Sequence, residues 1–300
     1  MKMERNNSID LFRLVCALLV VAIHIHPFID QNEIVGFIAV DILPRIAVPF
    51  FFCVSGYYYY QALEKKGSIV IRSTFFKVLK IYSLWSIPYF IRDAVAFLGN
   101  GSLSVKGLVV EFLLNFFVLG SAYHFWYFVA LLYSILFVGL IYKRGKLNSL
   151  LVASWLLYAF RLLGTSYYAL GISIPVVRNI ISAIWYESFG RIVFMGFPMF
   201  MSGMLVGRIK NCKQLRRCWA AAIIGFFVEI GFLVYYEISS SVVVTILLYP
   251  LTILTVDMLL QYPLPKFTDI AHKTRSFANF LFYAHPLAIW SITSLGYGGG

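Results

Sequence analysis

The sequence predicts an all-α fold, a polytopic transmembrane helix bundle of about 9–11 spans with short re-entrant or interfacial helices between them. Three observations carry this. Hydrophobic residues make up 61% of the 300 and charged residues only 13%, more apolar surface than a soluble domain of this length can hide. The apolar residues fall into runs of span length, and a helix needs roughly 20 residues to cross a bilayer. Finally, 18 of the 25 Lys and Arg sit at the start of the chain or in four short connections between those runs. That clustering is the positive-inside signal, and it places the N-terminus and those connections in the cytoplasm.

Residues 1–10 are short, polar and mildly basic. Residues 9–28 form the first span, after which 30–41 carries Asp30, Glu33 and Asp41 but no Lys or Arg and is expected outside. A second span over 43–63 returns to Lys65, Lys66, Arg72, Lys77 and Lys80. The third, 81–98, leads out to the turn Gly99-Asn100-Gly101-Ser102. Residues 106–120 are apolar but too few for an ordinary span, and predict a short or re-entrant helix. Spans at 124–142 and 148–163 flank Lys143, Arg144 and Lys146. Residues 164–190 mix Tyr, Ser, Pro, Arg, Asn and Glu with apolar residues and predict an external loop with a half-inserted helix. Irregular backbone at membrane depth is tolerated where it is buried or lines a cavity. Residues 191–206 lead back to Arg208, Lys210, Lys213, Arg216 and Arg217. Spans at 219–237 and 241–260 make a hairpin, 262–276 is a basic inner connection, and 277–295 is the last span. It leads outward, so at least one further crossing is expected beyond it. Residues 1–300 read as one domain, multi-pass in the cell membrane.

The net charge of +12 follows the positive-inside pattern rather than a nucleic-acid footprint; the bilayer, not nucleic acid, is the expected partner. Of the four Cys, Cys212 and Cys218 have no accompanying His and do not predict a metal site.

The chemistry centres on the first span. Arg13 and His24 are eleven residues apart, three turns plus about 20°, so they share one face about 16 Å apart along the axis. A stripe of two costly polar groups in a span needs water or partners. An imidazole can move a proton near neutral pH, and a guanidinium can hold an anion. The competing reading is a snorkelling Arg and a satisfied core His. His24 and Arg13 are the candidate catalytic residues, and Ser55, His124, Arg191 and His285 are candidate ligand contacts; the resemblance described below adds Trp126 and Tyr283 to them. His24, His124 and His285 are expected to converge on a cavity open to the external face. His26, before Pro27, is expected to cap or turn the chain. Arg161 and Arg178 are expected as interfacial anchors. Glu111, Glu229 and Asp257 are expected in structural pairs, the run Tyr57 to Tyr60 in an interface belt, and Ser55-Gly56 at a close helix contact.

Four stretches together resemble acyltransferase family 3: Arg13 with His24 ten residues between; Val48-Pro49-Phe50-Phe51-Phe52-Cys53-Val54-Ser55-Gly56-Tyr57; Tyr123-His124-Phe125-Trp126-Tyr127; and Phe282-Tyr283-Ala284-His285-Pro286. Within that family, RIAVPFFFCVSGYYYY and YHFWYFVAL are most similar to the branch in which the membrane domain precedes a cytoplasmic serine racemase domain of vancomycin-resistant bacteria. That resemblance implies a domain that binds or takes up L-serine. Pyridoxal phosphate, and a homodimer contact, would belong to a racemase domain outside these residues; no cofactor is implied here. The wider family implies transfer of an acyl group from acyl-CoA to an acceptor at the outer face, with His24 as general base. Sequence favours the serine reading, because those two strings match that branch more closely.

Overall fold

The computed structural model describes residues 6–28, 30–100, 105–184, 190–206, 214–238 and 244–294. Gly101-Ser102, Glu187 and the basic residues Arg208, Lys210 and Lys213 lie outside them. Among the described residues the chain is helical, with no strand. Three helical runs, Asn7–Ile25, Glu33–Lys66 and Leu215–Tyr235, are long and apolar enough to cross a membrane, and four shorter apolar helices accompany them. Large apolar side chains point outward along these helices, among them Leu18, Leu156, Ile224 and Val228. Such a surface belongs against lipid. This is an all-α membrane protein.

Its internal packing divides into two compact units. The first comprises 1–54, 165–168 and 208–300. In it, α1 (Asn7–Ile25) is N-capped by Asn6, whose side chain accepts from the Ile9 N–H, and ends at His26 in the left-handed conformation (φ 47°). The chain resumes at Asn32, which caps α2 (Glu33–Phe37). A π-turn (Ile38–Ile42) and a 3₁₀ turn (Leu43–Ile46) then lead directly into α3 (Ala47–Lys66). Helix thus occupies residues 33–41 of the connection expected over 30–41. Asp41 and Arg45 pair at 2.8 Å four residues apart, which neutralises charge along the helix, and the change of hydrogen-bonding pattern accommodates Pro44, which has no N–H to donate. After α11 (Leu215–Tyr235) and α12 (Leu248–Gln261), the expected inner connection shrinks to 262–267. The last helix, α13 (Thr268–Ser294), starts nine residues before the predicted span and carries Lys273 and Arg275 within it.

α1 lies along α13 and also touches α12. Three consecutive polar residues fasten its start. Asn6 donates to the Leu260 carbonyl (3.3 Å), Asn7 to Leu264 O and Thr268 Oγ1 (2.9 and 3.1 Å), and Ser8 to Tyr262 O (2.6 Å). Higher up, Phe12 meets Phe50 edge-on and Phe51 meets Phe282. Asn7 beside Thr268 at one end and His24 beside His285 at the other mean that α1 and α13 run parallel. Between α11 and α12, Glu229 accepts from Tyr167 Oη (2.7 Å) and from the Ile246 and Leu247 N–H groups (2.6 and 2.9 Å). It thereby satisfies donors ahead of α12 that have no helical acceptor. Burial, then the Glu229 carboxylate, pushes the Tyr167 phenol above its ordinary range.

The second unit comprises 55–164 and 169–207. It holds α4 (Ile69–Asn100), α5 (Val105–Leu114) with a π-turn (Asn115–Leu119), α6 (Trp126–Tyr142), α7 (Leu147–Leu163), α8 (Tyr168–Ser173), α9 (Pro175–Ile184), a π-turn (Ile192–Gly196) and α10 (Phe197–Val206). The helices α8 and α9 occupy the region expected to be irregular. Gly56 lets α3 approach α10 so closely that a Cβ there would sit 1.8 Å from the Phe200 carbonyl oxygen, so the pair Ser55-Gly56 does serve close packing. Tyr59 is buried and donates to Ile135 O at 2.9 Å; it is core rather than interface belt. Arg161, expected at an interface, is buried on α7.

Candidate functional site

The predicted residues fall into both units. Arg13, His24, Tyr283 and His285 belong to the first; Ser55, His124, Trp126 and Arg191 belong to the second.

In the first unit the parallel packing of α1 and α13 sets up two polar stations. At the far end of α1, the rings of His24 and His285 stack with centroids 5.3 Å apart and planes 21° from parallel. His285 is 2% exposed, and its Nδ1 lies 3.0 Å from the carbonyls of both Leu281 and Phe282. Carbonyl oxygens only accept, so Nδ1 carries the proton and Nε2 is the basic nitrogen. The next residue explains the geometry. Pro286 has no N–H to give the Phe282 carbonyl four residues back, and the imidazole supplies the missing donor. His24 is half-buried at the outer edge of the pair.

At the near end, Asp10 is buried between two guanidinium groups, with Arg13 Nη1 at 3.7 Å and Arg275 Nη1 at 3.8 Å. Arg13 Nε is buried without a hydrogen-bond acceptor among the described residues. Two cations on one carboxylate leave a formal surplus of +1. Asp10 also sits in the first turn of α1, where the helix dipole favours negative charge. Neither Asp10 nor Arg275 was singled out from sequence. Asp10 read as part of a polar start and Arg275 as part of a connection; the signal available was Asp10 three residues before Arg13, a helix-face neighbour.

In the second unit, Ser55 Oγ and Tyr127 Oη are 3.1 Å apart, joining two of the four quoted stretches. His124 is buried beside Tyr89 and Phe125. Its turn depends on Gly120, whose φ is +96° and where a Cβ would lie 2.4 Å from Trp126 N. Behind it, Tyr82 Oη donates to Phe116 O and accepts from Ser121 N, while Ser86 and Ser121 hydroxyls meet at 2.6 Å. Trp126 opens α6 and is 9% exposed; Arg191 precedes the π-turn before α10.

Among the described residues, no group of three His, Cys, Asp or Glu is arranged to hold a metal ion.

The comparisons agree with the four stretches. The acyltransferase-domain family matches residues 6–296. An amino-acid racemase of Enterococcus faecalis is 27% identical over 303 residues, covering 97% of this chain and 42% of its own length. A second amino-acid racemase of that species is 30% identical over 173 residues, 56% of this chain and 23% of its own. A serine/alanine racemase of Enterococcus gallinarum is 29% identical over 248 residues, 79% of this chain and 34% of its own. The chain therefore spans less than half the length of these relatives. No solved structure matches it. With almost its whole length matched, the chain belongs to acyltransferase family 3.

Proposed function

We propose that the chain transfers an acyl group from acyl-CoA, on the cytoplasmic side, to a hydroxyl acceptor reached from the outer side. The observation that carries this reading is the pair of stations on α1 and α13: a surplus cation at one end and, at the other, His24 stacked on an imidazole whose Nδ1 is held by two carbonyls. Eleven residues of helix put them about 16 Å apart. A free amino acid cannot touch both, whereas a long donor can lay its phosphates against Arg13 and Arg275 and its thioester near His24. His24 takes the acceptor O–H proton as the oxygen attacks the thioester carbonyl. The carbon–sulfur bond breaks, and the departing thiolate takes a proton in turn. His285 acts through His24, as a positioning residue that fixes its ring by stacking.

The second reading is uptake of L-serine for a racemase domain, and a specific observation favours it: 97% of the chain aligns with a relative named as an amino-acid racemase. Purified chain in liposomes separates the two. Acyl-CoA turnover that requires His24, with no accumulation of labelled L-serine, is the expected result. Serine accumulation without acyl-CoA turnover would overturn the first reading in favour of the second. His24→Ala is expected to abolish turnover with little change in apparent Tm. Turnover unaffected by that change would leave His24 as a packing residue.

A further inference from the structure

We propose that the first unit carries a site for one anionic phospholipid of the bilayer, distinct from both stations. The site is a groove of about 610 Å³ between α1, α11 and α12, within the size range of small-molecule sites. Leu11, Phe12 and Val15 wall one side, Met258 and Leu259 the other. The polar atoms in this wall are already engaged: Trp219 Nε1 donates to Thr255 Oγ1 (3.1 Å), and Ser8 Oγ to Tyr262 O (2.6 Å). What the groove offers an occupant is apolar surface, as an acyl chain requires.

Its one charged lining residue is Arg216. The guanidinium lies over the Tyr262 ring at 4.5 Å, and Nε donates to Tyr262 Oη at 3.0 Å, so the cation is pinned at the groove with most of its donors uncommitted. No carboxylate pairs with it among the described residues. Asp10 is held by Arg13 and Arg275, and Asp257 accepts from Gln261. Charge runs one way here: between Arg208 and Arg217 the sequence has five Lys or Arg and no acid. Arg216 is the second residue of the apolar helix α11, the level at which headgroups lie. Val15 is about 10 Å further along α1 than Ser8, at the depth of a tail. A phospholipid with its phosphate at the membrane surface and one acyl chain in the groove meets both ends, and basic pockets between spans recognise such lipids.

The test uses the full chain in zwitterionic nanodiscs, with bound lipid counted by native mass spectrometry and apparent Tm recorded. Phosphatidylglycerol is expected to bind about fivefold better than phosphatidylcholine, the preference that ~1 kcal/mol from one basic residue at an anionic surface gives. Arg216→Gln is expected to bring the two lipids to parity and Arg216→Lys to keep the preference. Val15→Trp, which fills the groove, should lower retention of both lipids with helicity intact. Equal binding of the two lipids by the unaltered chain would overturn the proposal, as would a preference that survives Arg216→Gln. Displacement by glycerol phosphate at lipid concentrations would mark a bare anion site and overturn the acyl-chain half.

Discussion

Asp10→Asn removes the one carboxylate that separates Arg13 from Arg275 without changing the size of the side chain. At 3.7 and 3.8 Å and an effective dielectric constant of about 20, each attraction has a gross value of about 4 kcal/mol. Desolvation offsets most of that. The net loss on breaking a buried pair is about 3–5 kcal/mol, and the arginine side chains here are 22% and 26% exposed, which lowers it. A loss of about 2–3 kcal/mol is expected, because two guanidinium groups then face each other without an anion between them. For a chain of this size that is a fall in apparent Tm of about 4–9 °C, measured by the unfolding of detergent-purified protein. The cycle with Arg275→Gln isolates the coupling. Once Asp10 is neutral, removing the Arg275 charge relieves repulsion, so the double variant should lose less than the sum of the singles. Acyl-CoA turnover should fall in Asp10→Asn as Arg13 loses its anchor, and recover in part in Asp10→Glu. Strict additivity of the two substitutions, within about 0.3 kcal/mol, would refute the three-residue cluster.

Three further outcomes are expected. His285→Asn keeps an amide donor where Nδ1 stands and removes the ring that stacks on His24, so turnover should be lost at near-normal Tm, while His285→Leu should also lower stability because it strips the Phe282 carbonyl of its donor. Gly56→Val places atoms where the Phe200 carbonyl already lies, and should cost about 1–3 kcal/mol or more by overpacking, read as a drop in Tm or in yield of folded protein. If the basic connections face the cytoplasm, a cysteine introduced at Lys146 should resist an impermeant reagent applied from outside, and one at Asn32 should react; the reverse pattern would invert the orientation.

The spans at α6 and α7 were legible to within two residues because Lys143, Arg144 and Lys146 separate two apolar runs whose other ends are marked by the turn residues Gly120-Ser121 and Gly164. Residues 33–42 and 268–276 were not, for one shared reason. Hydropathy reads a charged stretch as a connection, but a helix propagates through charges that find partners. Asp41 finds Arg45 one turn on, and Arg275 finds Asp10 on another helix. The second pairing cannot be read from local pattern at all, since its members are separated by most of the chain. The same limit applied to the histidines. Depth can be counted along each span at about 1.5 Å per residue, and it places His24 in the outer half of the first and His285 near mid-depth of the last. Lateral position depended on α13 lying parallel to α1, and that depends on contacts such as Asn7 with Thr268 and Phe51 with Phe282.

One further signal in the sequence was available and informative: the adjacency of His285 and Pro286. A proline inside a helix leaves the carbonyl four residues earlier without its donor. In lipid an unsatisfied carbonyl costs several kcal/mol, so a polar side chain within reach is drawn to it. His285 is one residue before the proline, and a helical side chain lies back over the preceding turn. Its Nδ1 therefore meets the orphaned Phe282 oxygen, and the bond to Leu281 O at the same 3.0 Å completes a two-acceptor cradle. The consequence reaches the chemistry. A proton held on Nδ1 by two carbonyls leaves Nε2 as the basic nitrogen, on the ring that stacks against His24. Pro286→Ala tests the chain of reasoning at its origin. Restoring the N–H should return the Phe282 carbonyl to the helix and stabilise it, while loosening the imidazole and lowering turnover. A variant more stable and equally active would show that the proline does not set the ring.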